Sequence, residues 1–272
     1  MTYPSMMVHV DFDPATEARV HMAAGLADRF EATLIGVAAC APHPPLAWGG
    51  FGLAPLFTEE NVADLKVALD QLEWRFRSIA VTGSRQVGWR SALDRPTEFV
   101  AREASAVDLV IIGRERLSAD LFRSLDPGAL LLQVGRPVLL VPAGINRLDA
   151  NRVLVAWKDT REARRALSDS LPFLHDAEKV FLVEVCAEHE GEAVQHHVNN
   201  VMSYLAHHRI TATALTLQAA NVTDELLGFV RKEKVELLVA GAYVHSRLSE
   251  LVFGGVTHDL LYKSPICCLF SH

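Results

Sequence analysis

Val107-Asp-Leu-Val-Ile-Ile-Gly113 and Val235-Glu-Leu-Leu-Val-Ala-Gly241 are two versions of one stretch, set 128 residues apart. Each is an apolar run opened by a valine and a carboxylate and closed by a glycine. The same offset carries Arg136-Pro137-Val138-Leu139 onto Ser264-Pro265-Ile266-Cys267 without a gap. Two strands and the turn before the second are therefore repeated in register, and self-similarity of this kind fixes architecture before any single element is read.

Working outward, Met7-Val-His-Val-Asp11 corresponds to Val153-Leu-Val-Ala-Trp-Lys158, and Thr33-Leu-Ile-Gly-Val-Ala-Ala-Cys40 to Lys179-Val-Phe-Leu-Val-Glu-Val-Cys186. Slightly different offsets there imply loop insertions. The boundary falls between Gly144 and Asn151, giving halves 1–146 and 147–272. Within each half, short β-branched runs alternate with helical patterns, the mark of parallel strands joined by right-handed crossovers. The first half predicts strand 6–11, helix 16–30, strand 33–39, helix 59–79, strand 86–89, helix 96–103, strand 109–113, helix 128–134 and strand 138–141. Val62, Leu65, Leu69, Leu72 and Phe76 mark the buried stripe of the helix over 59–79. The loop from Ala41 to Phe57, with four prolines and three glycines, is the place for a lid or a partner surface. The expected fold is α/β: two tandem, doubly wound, mostly parallel five-stranded sheets of Rossmann-like type, packed as a pseudo-dimer.

The composition narrows the function. The chain has 272 residues, half of them hydrophobic and 22% charged, which excludes a disordered chain. Its net charge of -7 offers no basic surface to neutralise a nucleic-acid backbone. No apolar run reaches the ~20 residues needed to cross a bilayer, and residues 1–10 lack the features of a secretory signal. A cytoplasmic protein acting on neither membrane nor nucleic acid is expected. The four cysteines, two of them adjacent at Cys267 and Cys268, suit neither a disulfide framework nor a zinc site. His196, His197, His207 and His208 are 11 residues apart in pairs, ~16 Å along a helix and too far for one ion to bridge.

The second apolar repeat leads into Gly241-Ala-Tyr-Val-His-Ser-Arg-Leu-Ser-Glu-Leu-Val-Phe-Gly-Gly-Val-Thr257, followed by a helix, Ser264-Pro265 and a final strand. This resembles the C-terminal signature of the universal stress protein (UspA-like) family: Gly, two residues, Gly, nine residues, Gly, then Ser or Thr. Both halves share the resemblance, so the chain looks like a tandem universal stress protein. The resemblance implies an adenine-nucleotide cleft, with ATP as the expected ligand, and a pairing of the last strands, Val138 to Val141 with Ile266 to Phe270, across the internal interface.

The physics agrees with a phosphate cradle, because glycines at a strand-to-helix turn permit close backbone approach and helix-start amides attract anions. In open α/β sheets, ligands lie beyond the carboxyl ends of the strands. Carried over onto the second half, the candidate binding residues are Ala156, Trp157, Lys158, Val185, Gly241, Val244, Arg247, Gly254, Gly255, Val256 and Thr257. Val244 stands where the family has its second glycine, and Lys158 where it has an aspartate. Lys158 and Arg247 suit a phosphate, and Trp157 suits stacking on a base. The first half keeps Asp11 and Gly113 but has Arg116, Asp126 and Pro127 at the remaining motif positions. Asp126 puts a carboxylate where a phosphate belongs, and Asp126-Pro127-Gly128 also reads as a helix N-cap and first turn. Nucleotide binding is thus expected in the second half only.

No nucleophile elbow, Walker loop or Cys-His dyad appears, so the chain is expected not to be an enzyme, with slow ATP hydrolysis as a minor variant. The rival reading is a nucleotide-free interaction module whose 41–57 loop or acidic surface meets a protein partner. A homodimer is compatible with either.

Overall fold

The structure is a computed structural model that describes residues 2–43, 59–81, 85–114, 120–186, 191–218, 221–242 and 255–272. The first half runs β1 (Ser5–His9), α1 (Thr16–Arg29), β2 (Thr33–Ala39), α2 (Glu59–Ala80), β3 (Val87–Ala92), α3 (Pro96–Glu103), β4 (Leu109–Gly113), α4 (Pro127–Leu131) and β5 (Val138–Val141). The second repeats the order with β6 (Arg152–Trp157), α5 (Arg161–Asp176), β7 (Lys179–Cys186), α6 (Gly191–His207), β8 (Ala212–Gln218), α7 (Val222–Glu233), β9 (Leu237–Gly241), α8 (Gly255–Lys263) and β10 (Cys267–Ser271). The elements expected from periodicity are present, with ends shifted by a few residues. The first strand closes at His9, which leaves Asp11 in the loop beyond it. The short helix begins on Pro127, whose fixed φ suits a first helical position.

The two five-stranded units are not separate sheets. Strand order is β3-β2-β1-β4-β5-β10-β9-β6-β7-β8, one sheet of ten strands. Every neighbouring pair is parallel except the central one, where β5 and β10 run antiparallel with Leu139 opposite Leu269. The pairing implied by the family resemblance is therefore present, and it merges the units. Both central strands are buried along their length, which matches their unbroken apolar sequences.

Two hydrophobic layers cover the sheet, and each runs through both halves. One packs α1, α2, α5 and α6 through Val20, Leu26, Leu72, Leu167, Leu171, Val201 and Leu205. The other packs α3, α4, α7 and α8 through Phe99, Leu130, Leu226, Val230 and Leu260. Rings from both halves meet in the first layer, where Tyr3, Phe30 and Phe173 sit with centroids 5.3–5.5 Å apart. The Tyr3 hydroxyl donates across the joint to the Asp169 carbonyl, and the Arg114 guanidinium to the Ser264 carbonyl. Among the described residues no helix is long and apolar enough to cross a membrane.

Candidate functional site

The strand register fixes which residues of the halves are equivalent. Met6 pairs with Leu109 as Val153 pairs with Leu237, so His9 stands where Ala156 stands and Asp11 where Lys158 stands. Likewise Val37 pairs with His9 as Val183 pairs with Ala156, which makes Ala39 the counterpart of Val185. All lie at the carboxyl edge of the sheet, where the strand order reverses between β1 and β4 and between β6 and β9. That reversal opens the crevice in which α/β sheets hold ligands.

In the first half a buried polar network stands at these strand ends. Arg19, from the second turn of α1, is 2% exposed. Its Nε donates to the His9 carbonyl at 2.9 Å, and its Nη2 donates to Asp11 Oδ2 at 2.7 Å and to Thr16 Oγ1 at 2.8 Å. The Thr16 hydroxyl donates in turn to Asp11 Oδ1, and His9 Nδ1 lies 3.3 Å from Asp11 Oδ2. The guanidinium rests on Gly113 so closely that a methyl group there would overlap Nη1. The pair Asp11 and Gly113 thus serves an internal cation. Beyond it, Asp126 caps α4 by accepting from the Ala129 amide at 3.1 Å, with Pro127 in the first turn. Asp126 and Pro127 are both accounted for as cap residues, and His9 and Ala39 are buried.

The second half differs at each of these points. Ala156 and Val185 are half-buried, and Lys158 is exposed. Helix α8 opens on the exposed Gly255, followed by half-buried Val256 and buried Thr257, with no acidic residue in its first turn. Among the described residues nothing lies within 4 Å of where a side chain on Gly255 would begin. Its first-turn amides have no partner within the helix. Ala156, Val185 and Val256 all pack on the α7–α8 layer, so the fold brings them to one side of the strand ends.

Two expected site residues serve other ends. Trp157 alternates to the opposite face from Ala156, as a strand requires, and is buried in the α5–α6 layer. Gly241 is needed by packing: a methyl group there would stand 2.6 Å from the Ala163 amide nitrogen and 2.7 Å from the Glu162 carbonyl carbon. Helix α5, capped by Thr160 Oγ1 on the Ala163 amide at 3.2 Å, therefore starts directly against β9. Val244, Arg247 and Gly254, together with His245, Ser246, Arg116 and the 44–57 part of the Ala41–Phe57 loop, lie outside the described residues.

Trp157 also forms the wall of a separate cleft of about 370 Å³ between α5 and α6, with Leu167, Val201 and Tyr204. Asp159 spans its mouth, accepting from Arg164 Nη2 at 2.6 Å and lying 3.2 Å from His197 Nδ1. His197 is thereby engaged with a carboxylate, and among the described residues no group of three potential metal ligands gathers. The thiols of Cys267 and Cys268 are enclosed in β10, and burial pushes both up to about 12. A thiol so raised is a packing group at neutral pH.

Sequence reasoning missed Arg19. Its signal is present, a Thr and an Arg three residues apart downstream of Asp11, but on an amphipathic helix such residues read as the solvent face.

Comparison with known proteins gives the fold a counterpart. A universal stress protein from Archaeoglobus fulgidus superposes with a TM-score of 0.76 at 10% identity, over 98% of this chain and 95% of its own. A Pseudomonas aeruginosa protein of unknown function gives 0.59 at 12% identity over 99% and 92%, and a Pseudomonas aeruginosa protein provisionally assigned as a universal stress protein gives 0.59 at 14% over 99% and 93%. No family model and no curated protein sequence matches this chain. The chain has the universal stress protein fold, used twice along its whole length.

Proposed function

We propose that this chain works as a tandem universal stress protein that binds one adenine nucleotide, ATP, and binds it in the second half only. The observation that carries this is the contrast between the two equivalent helix starts. Helix α4 begins on a carboxylate cap and a proline, whereas α8 begins on exposed Gly255 with no acid in its first turn. An anion is favoured at the second and repelled at the first. Ala156, Val185 and Val256 would form the apolar shelf for the base, Lys158 would meet phosphate charge, and the amides of Gly255, Val256 and Thr257 would receive it. Against a net charge of -7, phosphate must be held locally by such donors. The protein is read as a binding component of a cytoplasmic stress response rather than an enzyme.

The rival reading, a nucleotide-free interaction module, is favoured by one observation: Gly241 is already required by the approach of α5, so its retention does not by itself argue for a ligand. Titration calorimetry with ATP, together with mass spectrometry of ligand released on denaturation, separates the two. One nucleotide per chain is expected, with Lys158→Glu weakening binding at least ~10-fold through repulsion and a lost cation. Arg19→Met is expected to leave this affinity unchanged. Absence of binding at millimolar ATP rules in favour of the interaction module.

A further inference from the structure

Among the described residues, three of the five most exposed large apolar side chains lie on one helix: Val67 at 55%, Trp74 at 72% and Val81 at 59%. All belong to α2 or its last turn, since the Val81 amide still donates to the Arg77 carbonyl at 3.1 Å. Seven residues advance ~700°, 20° short of two turns, so these side chains form a single stripe ~21 Å long. The opposite face of α2 is fully used, with Leu65, Leu69, Leu72 and Phe76 buried against the sheet. The stripe is an apolar surface with a tryptophan at its centre, the residue most enriched where interfaces concentrate their affinity.

We propose that this stripe pairs with the same stripe of a second copy of the chain, α2 against α2, antiparallel about a two-fold axis at Trp74. The charges flanking the stripe select this partner and this direction. At 100° per residue, Asp70 sits ~40° and Arg77 ~60° to the same side of Trp74, one ~6 Å before it and the other ~4.5 Å after it along the axis. A perpendicular two-fold reverses the order along the helix and keeps the side. Asp70 is thereby set at nearly the same height as Arg77 of the partner subunit, and the pair occurs twice by symmetry. Trp74 meets its own copy, and Val67 meets Val81 of the partner subunit. A parallel pairing gives no such match, because each charge then faces away from its complement. Arg77 already binds Glu73 Oε1 through Nε at 2.7 Å, and its guanidinium has further donors to offer. A 22-residue helix is ~33 Å long, so the contact falls below the ~1,200 Å² of firm interfaces and the dimer is weak and concentration-dependent.

Sedimentation velocity of the full chain between about 5 and about 500 µM reads this directly. The wild type is expected to rise from the 29.9 kDa of one chain toward twice that mass, and Trp74→Glu to remain monomeric. Asp70→Lys and Arg77→Glu each place like charges together and are expected to self-associate at least ~10-fold more weakly than the wild type. Mixed one to one, they are expected to form a heterodimer at least ~10-fold tighter than either variant alone. All three positions are on the solvent side of α2, and circular dichroism verifies that each variant keeps its helix content. A wild type that stays monomeric throughout, as it would if residues 44–58 of the same chain covered the stripe, overturns the proposal. So does a dimer indifferent to Trp74→Glu, and a mixture no tighter than its components overturns the antiparallel register.

Discussion

Arg19 is a buried charge at the carboxyl edge of the first half's sheet. Its guanidinium satisfies Asp11, Thr16 and the His9 carbonyl in a setting from which water is excluded, and such a network is costly to half-remove. Arg19→Met is expected to destabilise the protein by about 3–5 kcal/mol, because the buried Asp11 carboxylate loses its guanidinium partner. Adding Asp11→Leu to Arg19→Met should recover most of that loss, and urea unfolding of the wild type and both variants measures it. Equal losses in the single and double variants would show that Arg19 acts through packing alone. The aspartate was visible in the sequence as the family's first-strand residue. That it belongs to an internal ion pair was not, because Arg19 reaches it by folding back from the second turn of α1 over the strand ends.

Helix starts decide what the strand ends can hold. In α4 the first turn is closed by Asp126 and Pro127, in α5 by Thr160, with the Glu162–Ala163 backbone pressed against Gly241, and in α8 by nothing among the described residues. Gly241 accordingly tests the packing of α5 on β9. Gly241→Ala pushes a methyl group into backbone at 2.6 Å, which no side-chain rotation relieves, and is expected to cost about 1–3 kcal/mol or more. Gly255→Ala meets nothing within 4 Å among the described residues and is expected to stay within about 1 kcal/mol of the wild type. Thermal melts of the two variants make the comparison, and an unperturbed Gly241→Ala would mean that α5 does not seat as described. In sequence the stretch after β9 reads as a phosphate turn, and the structure gives its leading glycine a packing duty. Periodicity placed the helices themselves within a few residues, because a 3.6-residue repeat of apolar side chains survives any tertiary arrangement.

At the scale of the molecule, the antiparallel β5–β10 joint turns two units into one sheet with two shared layers. Cys267 and Cys268 lie in that joint, and their thiols titrate at about 12 in place of the ordinary 9.0. The folded state holds these protons longer than the unfolded chain, so their contribution to stability is intact below pH 9 and lost as pH rises toward 12. Each thiol is expected to remove about 1.4 kcal/mol per pH unit in that window. Urea unfolding at pH 8, 9 and 10 (about one unit apart) follows its onset, and Cys267→Ala/Cys268→Ala should flatten the slope chiefly above pH 9, by a difference that approaches about two protons only above pH 10; an unchanged slope would place the thiols in contact with solvent. By itself the sequence determined that one α/β unit is used twice and which strands and helices compose it. These follow from local periodicity and an internal repeat, which are properties of the chain alone. Tertiary structure decided that the two sheets are one, that Arg19 is buried against Asp11 and Gly113, that Trp157 turns away from the strand ends, and that Val67, Trp74 and Val81 are left facing solvent. Each of these depends on which distant surface meets which, and burial of that kind is fixed only when the whole chain has packed.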